Sequence, residues 1–226
     1  MNTQREQLIQ TWLQATLQSD QFEINYLAGD ASFRRYARIK LQNKTYMLMD
    51  APPEKEDCAP FVSIDEFFDK NGVRVPHIVA KDLNFGLLLL EDFGDVVLST
   101  LLTDETVDQY YAQSFEQLIE LQKIDGLEQL PAYSYEKLMT EMRLLTEWML
   151  PSLDIQPTEQ QLETIEQAFD FLAVEATHQP QVIVHRDFHS RNLMKINDDT
   201  ELGVIDFQDA VIGADTYDLI SITRDA

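Results

Sequence analysis

Basic residues are scarce in this chain: 17 Lys and Arg stand against 40 Asp and Glu, a formal charge of −23. Non-specific nucleic-acid binding depends on phosphate neutralisation by Lys and Arg, so this balance argues against that class of partner. The acidic excess reads as a solvated surface. Any anionic ligand must then bind through local cations, against a field screened beyond ~8 Å. Cysteine is nearly missing too. Cys58 stands alone, so no internal disulfide is expected, a reducing cytoplasmic setting fits, and the thiol reads as structural. A bilayer span needs ~20 apolar residues, whereas no apolar run exceeds that of Leu87 to Leu90, a strand at most. The start, with Gln4, Arg5 and Glu6, does not have the layout of a signal peptide. Internal repeats and low-complexity tracts are absent. His77 and His178 have no ligand-spaced partners, so a zinc site is not expected.

What is present is 44% hydrophobic residues in 226, enough for one large domain or two lobes. Ile9, Trp12, Leu13, Thr16 and Leu17 mark one face of an opening helix. Strands are expected at Phe22 to Leu27, Phe33 to Lys40 and Lys44 to Asp50, with a hairpin turn at Gln42-Asn43. Pro60 opens a helix whose Phe61, Ile64 and Phe68 share a face, with Gly72 near its stop. Val73 to Ala80 and Gly86 to Glu91 complete a small sheet. Beyond Phe93-Gly94 the pattern turns helical, over Asp104 to Ile124, Ser134 to Leu150 and Thr158 to Ala176, separated by Pro131, Pro151 and Pro157. Trp12 and Trp148 sit at helical spacing and read as core.

The segment richest in chemistry follows. Val184-His185-Arg186-Asp187-Phe188-His189-Ser190-Arg191-Asn192 leads through a short apolar strand to Ile205-Asp206-Phe207. An aspartate five residues before an asparagine, with a second aspartate after a strand, is the layout that holds a hydroxyl, metal ions and a triphosphate together in kinase-like enzymes. Asp187 is placed to accept the proton of an attacking hydroxyl. Asn192 offers a neutral carbonyl and Asp206 a carboxylate, both hard ligands suited to magnesium. His185 reads as a buried residue that orders the loop. His189 is either a substrate contact or a packing residue.

The stretch from Val182 to Ala226 resembles the aminoglycoside phosphotransferase and choline kinase superfamily. Its Gly213-Ala214-Asp215-Thr216-Tyr217-Asp218-Leu219 follows Asp206 closely, with no long activation segment between. Leu27 to Tyr36, Met49 to Cys58, Asp206 to Ala210 and Thr223 to Ala226 resemble one bacterial branch, the anomeric kinases of N-acetylmuramate and N-acetylglucosamine. The resemblance covers nearly the whole chain. It implies an α+β, protein-kinase-like two-lobe fold: a small antiparallel-sheet N-lobe over 1–93 that binds nucleotide, and a mainly helical, incomplete C-lobe over 94–226 with the catalytic loop. ATP is the implied co-substrate, Mg2+ the implied cofactor, and a small sugar the implied acceptor. Gly29 and Ser32, at a small-residue hairpin tip, would approach phosphate. Backbone groups in Leu90, Glu91, Asp92 and Phe93 would read adenine. His189, Arg191, Asp209 and Arg224 are candidate sugar contacts. Asp218 matches a structural aspartate that binds catalytic-loop backbone.

Two departures accompany the resemblance. The strand Tyr46-Met47-Leu48-Met49-Asp50 has no lysine for the α- and β-phosphates; Leu48 stands roughly where one belongs. Arg34, Arg35, Arg38 and Lys44 are possible substitutes, and Glu66 lacks an assured partner. The branch also continues well beyond Ala226, so exposed apolar helix faces are expected. An anomeric sugar kinase is the leading expectation. The alternatives are a phosphotransferase for an aminoglycoside or another small alcohol, and a non-catalytic kinase-like binding module. Nothing in the sequence specifies an oligomeric state.

Overall fold

The structure, a computed structural model, describes residues 3–28, 33–196 and 201–225. They divide into two units, residues 1–103 with 193–208 and residues 104–192 with 209–226.

The first unit is built on an antiparallel sheet. Helix α1 (Thr3–Leu17) precedes β1 (Glu23–Tyr26), β2 (Arg35–Leu41) and β3 (Lys44–Asp50); α2 (Ala59–Lys70), β4 (Ile78–Asp82) and β5 (Leu87–Glu91) follow. The strand order is β1-β2-β3-β5-β4. The hairpin turn falls where expected, with Gln42 at φ 54. Strand β4 starts five residues after the expected Val73, because Pro76 cannot donate to a ladder. Ile9 and Leu13 of α1 are fully buried against Ala37, Ile39, Leu48, Leu87 and Leu89. Alternation along β2 therefore turns Ala37 and Ile39 toward α1, and Tyr36 and Arg38 to the other face. Gly86, at φ +62, is required by space: a Cβ there would lie 1.8 Å from the Ala51 carbonyl oxygen.

The hairpin of β7 (Leu193–Lys195) and β8 (Leu202–Val204) belongs to this unit as well. Lys195 N–H donates to Val96 O at 2.9 Å and Val204 N–H to Arg74 O at 2.7 Å. Phe93 packs against Met194 and Ile196, and Gly203 makes room for its ring, since a Cβ there would come within 2.3 Å of it. The segment after β8 brings Phe207 to 5.0 Å from Phe61 and 5.8 Å from Phe68, the buried aromatics of α2.

The second unit is helical with one small ladder. It comprises α3 (Val107–Gln122), α4 (Tyr135–Leu144), the short α5 (Leu150–Ser152), α6 (Glu159–His178), β6 (Gln181–Val184), β9 (Val211–Ala214) and α7 (Tyr217–Thr223). Strands β6 and β9 pair antiparallel, Val182 opposite Gly213. Helix α6 starts with a capping box in which Thr158 and Gln161 satisfy each other's backbone. Met139, Phe169 and Ala173 form the α4–α6 core.

Trp148 corrects the sequence reading. It is 70% exposed, because Leu145–Met149 is a π-helical turn whose extra residue rotates the apolar stripe of α4 away from it. Phe171 and Leu172 of α6 are also exposed, as expected of apolar helix faces in this half. Among the described residues no helix is long and apolar enough to cross a membrane.

Asp65 on α2 is almost fully buried and its Oδ2 has no hydrogen-bond partner. Burial, reinforced by Asp69 and Glu66, pushes its carboxyl from the ordinary 3.8 up to about 7. The stability this group contributes is present below 3.8 and lost as pH rises through about 7. Asp65→Asn, which stays neutral, should therefore gain Tm relative to the unmodified chain as pH rises from 3.8 to about 7 and hold that gain above it. A gap that does not change with pH in thermal melts would contradict this.

Candidate active site

The loop from His185 to Asn192, between β6 and β7, is organised around one carboxylate. Asp218 on α7 is fully buried. It accepts the His185 N–H at 2.6 Å and the Arg186 N–H at 3.0 Å. Burial pushes this carboxyl up to about 6, against the opposing pull of the two donors. Arg186 takes φ 80, a conformation that costs a non-glycine residue on the order of 1 kcal/mol or more and persists only where its surroundings enforce it. Its side chain supplies part of that enforcement: Nη2 donates to Glu141 at 2.8 Å, and the guanidinium lies 5.5 Å from the Tyr133 ring centre.

Beyond this anchor the loop folds back on itself. Asp187 O accepts the His189 N–H at 3.0 Å and the Asn192 Nδ2 at 3.0 Å, and Asn192 N–H donates to His189 O at 2.9 Å. Ser190 N–H is held by the Asp225 carboxylate. The Asp187 side chain is exposed while Phe188 beside it is buried, and Phe188 packs edge-on against the buried His185 ring at 5.9 Å. The Asn192 amide thus turns its nitrogen toward the loop.

The remaining expected contacts of this unit are more dispersed. His189 is partly buried and its Nδ1 has no hydrogen-bond partner. Arg191 is exposed. Asp209, also exposed, lies 3.9 Å from Arg186. Arg224 is exposed at the C-cap of α7.

In the first unit, Asp206 follows β8 at φ 63 with its side chain exposed and Oδ1 accepting from Gln208 Nε2 at 2.8 Å. Leu90 to Phe93 form the end of β5 and the turn after it. Arg74 grips Glu91 at 2.5 and 2.7 Å and so holds that carboxyl below its ordinary value. Arg38 grips Asp92 at 2.6 and 3.0 Å and reaches Asp95 at 2.8 Å. Burial alone would raise the Asp92 carboxyl, but Arg38 and the Gly94 N–H outweigh it and lower it. Glu91 N–H is engaged by His77 O at 2.9 Å. The Phe93 side chain is core. Gly29 and Ser32, the expected phosphate contacts, lie outside the described residues.

Among the possible replacements for the missing lysine, Arg35 clasps the buried Asp50 together with Arg5, at 2.5 and 2.6 Å, and Arg38 is engaged as above. Glu66 pairs with Lys81. Among the described residues no cluster of three or more His, Cys, Asp or Glu is ready to hold a metal. Asn192 and Asp206, each taken by itself, carry hard oxygen donors of the kind magnesium accepts, and magnesium needs only one or two protein ligands beside water and substrate phosphates.

Sequence reading missed Glu141 and Asp225 as supports of the loop. Glu141 lies 45 residues before Arg186, and no local pattern marks such a pair. If Asp218 anchors the loop, Asp218→Ala strands two N–H donors at ~1–3 kcal/mol each. The Tm should fall on the order of 10 °C, with faster amide exchange at His185 and Arg186; an unchanged melt would contradict the anchor.

Comparison with known proteins bears on the family and the fold. The family model described as a phosphotransferase enzyme family matches residues 23–226. The N-acetylmuramate/N-acetylglucosamine kinase of Pseudomonas aeruginosa is 39% identical over 200 residues, covering 88% of this chain and 59% of that protein. The Neisseria meningitidis protein of the same name is 35% identical over 229 residues, 99% of this chain and 67% of its own length. The chain thus spans about three-fifths of the length of the Pseudomonas relative. Among solved structures, aminoglycoside phosphotransferase APH(4)-Ia superposes with a TM-score of 0.65 at 15% identity, over 95% of this chain and 75% of that one. The streptomycin–ATP–APH(2″)-IIa ternary complex gives 0.61 at 18% identity, over 97% and 75%. These distant likenesses show the kinase-like fold, an antiparallel sheet unit with a helical one. On the family match and the two kinases together, the chain belongs to the phosphotransferase enzyme family.

Proposed function

We propose that this chain is an ATP-dependent kinase that transfers the γ-phosphate to the anomeric hydroxyl of N-acetylmuramate or N-acetylglucosamine, in cytoplasmic recycling of cell-wall sugars. The observation that carries the reading is the pinned loop, which spends a buried carboxylate and a strained Arg186 to present Asp187 outward. The similarity to two kinases named for these sugars supports the choice of acceptor.

In this reading Asp187 accepts the proton of the acceptor hydroxyl as its oxygen bonds to the γ-phosphorus. The bond from that phosphorus to the bridging oxygen breaks, and ADP leaves. An anomeric hydroxyl is more acidic than an ordinary alcohol, which eases the demand on Asp187. Asn192 and Asp206 would hold magnesium, which supplies charge neutralisation to the phosphates. Backbone groups from Leu90 to Phe93 read the adenine, and Arg38 and Arg74 fix that turn by holding Asp92 and Glu91. His189, Arg191, Asp209 and Arg224 are assigned to the acceptor side.

Two substitutions test the roles. Asp187→Asn should cut turnover by roughly 10²–10⁴-fold while Mg-ATP affinity stays close to that of the unmodified chain. Near-normal turnover removes Asp187 from the role. Asp206→Ala should abolish magnesium-dependent ATP binding, and Asn192→Ala should weaken it less, because a neutral carbonyl binds a hard dication less strongly. Equal nucleotide affinities for Asp206→Ala and the unmodified chain in calorimetry would contradict the metal assignment.

A further inference from the structure

A triphosphate needs cationic partners, and five cations of the sheet unit are engaged by carboxylates on its own framework. Arg5 and Arg35 serve the buried Asp50, Arg38 serves Asp92 and Asp95, Arg74 serves Glu91, and Lys81 serves Glu66. Arg34 is placed differently. It immediately precedes β2, and strand alternation puts it on the face of Tyr36 and Arg38, opposite the face that α1 covers. Its Nε meets Glu56 Oε1 at 2.5 Å, and its guanidinium lies 5.8 Å from the Phe61 ring centre. Phe61 in turn packs on Phe207, the residue after Asp206.

We propose that Arg34 binds the phosphates of the nucleotide and that Glu56, with the Phe61 ring, aims it. The inference rests on the phosphotransferase reading and deepens it, by naming the cation that acts where β3 has no lysine. Three features of the sheet unit carry it. The Phe61 ring, in contact with the Arg34 guanidinium on one hand and tilted against Phe207 on the other, links Arg34 to the segment where Asp206, the proposed metal ligand, leaves β8. The Tyr36 hydroxyl feels both groups: burial raises its pKa, Arg34 lowers it and Asp206 raises it. Neither partner of the ion pair is sealed from solvent, with side-chain exposures of 13% for Arg34 and 22% for Glu56. An arginine fork held by a carboxylate on one edge and an aromatic face beneath is preorganised, and its planar array of donors matches phosphate oxygens. Lysine at β3 would reach the phosphates from the strand itself. Here the charge enters from the residue before β2 and is steadied from the segment before α2.

The test is calorimetry on the 226-residue chain, comparing Mg-ATP with adenosine, a ligand that keeps the base and lacks the phosphates. Arg34→Ala should weaken Mg-ATP roughly 10–100-fold and leave adenosine affinity unchanged, with Arg34→Lys recovering part of the loss. Glu56→Gln should weaken Mg-ATP in the same selective way but less, and it serves as the independent variant if Arg34→Ala melts early. Unchanged Mg-ATP affinity in Arg34→Ala, or in Glu56→Gln where Arg34→Ala does not fold, overturns the proposal. So does a parallel loss of both ligands, which marks a structural ion pair. If the unmodified chain binds neither ligand, the phosphotransferase reading itself fails and takes this inference with it.

Discussion

Asp218 is sealed from solvent on a short helix, and the backbone N–H groups of His185 and Arg186 end on its two oxygens. Burying a carboxylate without compensation is expensive, and here burial does raise its pKa, while the two backbone donors offset part of that cost. Several features of the loop follow. With His185 and Arg186 fixed, the chain turns through a positive φ at Arg186 and delivers Asp187 outward. The next residues close on the Asp187 carbonyl, which ties His189 and Asn192 to the same turn. Glu141 and Asp225 brace the two ends. Asp187, the proposed base, and Asn192, a proposed metal ligand, are thereby held by backbone geometry.

The second constraint is the shortage of positive charge. With 17 basic residues among 226, most arginines of the sheet unit act as internal clamps. Asp50 is gripped from both sides, and the turn after β5 is gripped by Arg38 and Arg74. Such clamps are charge-assisted and bidentate, hence strong for their number. In the proposed reading the phosphates then depend on Arg34, itself held by Glu56, and on magnesium.

Much of this was legible in the sequence. The Asp187, Asn192 and Asp206 spacing and the Asp218 anchor are local patterns, and the sheet order follows from hairpins whose turns carry their own signals, as at Gln42-Asn43. The unit boundary was less visible. Lys195 lies 99 residues after Val96 and Val204 lies 130 after Arg74, yet the β7–β8 hairpin bonds to both, and sequence patterning carries no record of such long-range contacts. Trp148 escaped because a π turn breaks the period that its placement assumed. Glu56 and Glu141 escaped because an acidic residue among 40 Asp and Glu looks like solvated surface until its arginine is seen.

The central claim is that this chain moves phosphate from ATP to a sugar's anomeric oxygen. Phosphorus NMR of the chain with Mg-ATP and N-acetylmuramate or N-acetylglucosamine reads that transfer directly, with an aminoglycoside and a no-acceptor sample beside it. The account predicts growth of a sugar 1-phosphate signal matched by loss of the ATP γ-phosphate, in the amino-sugar samples alone. Persistence of intact ATP in every sample, with nucleotide still bound, would contradict it and leave a kinase-like binding module in its place.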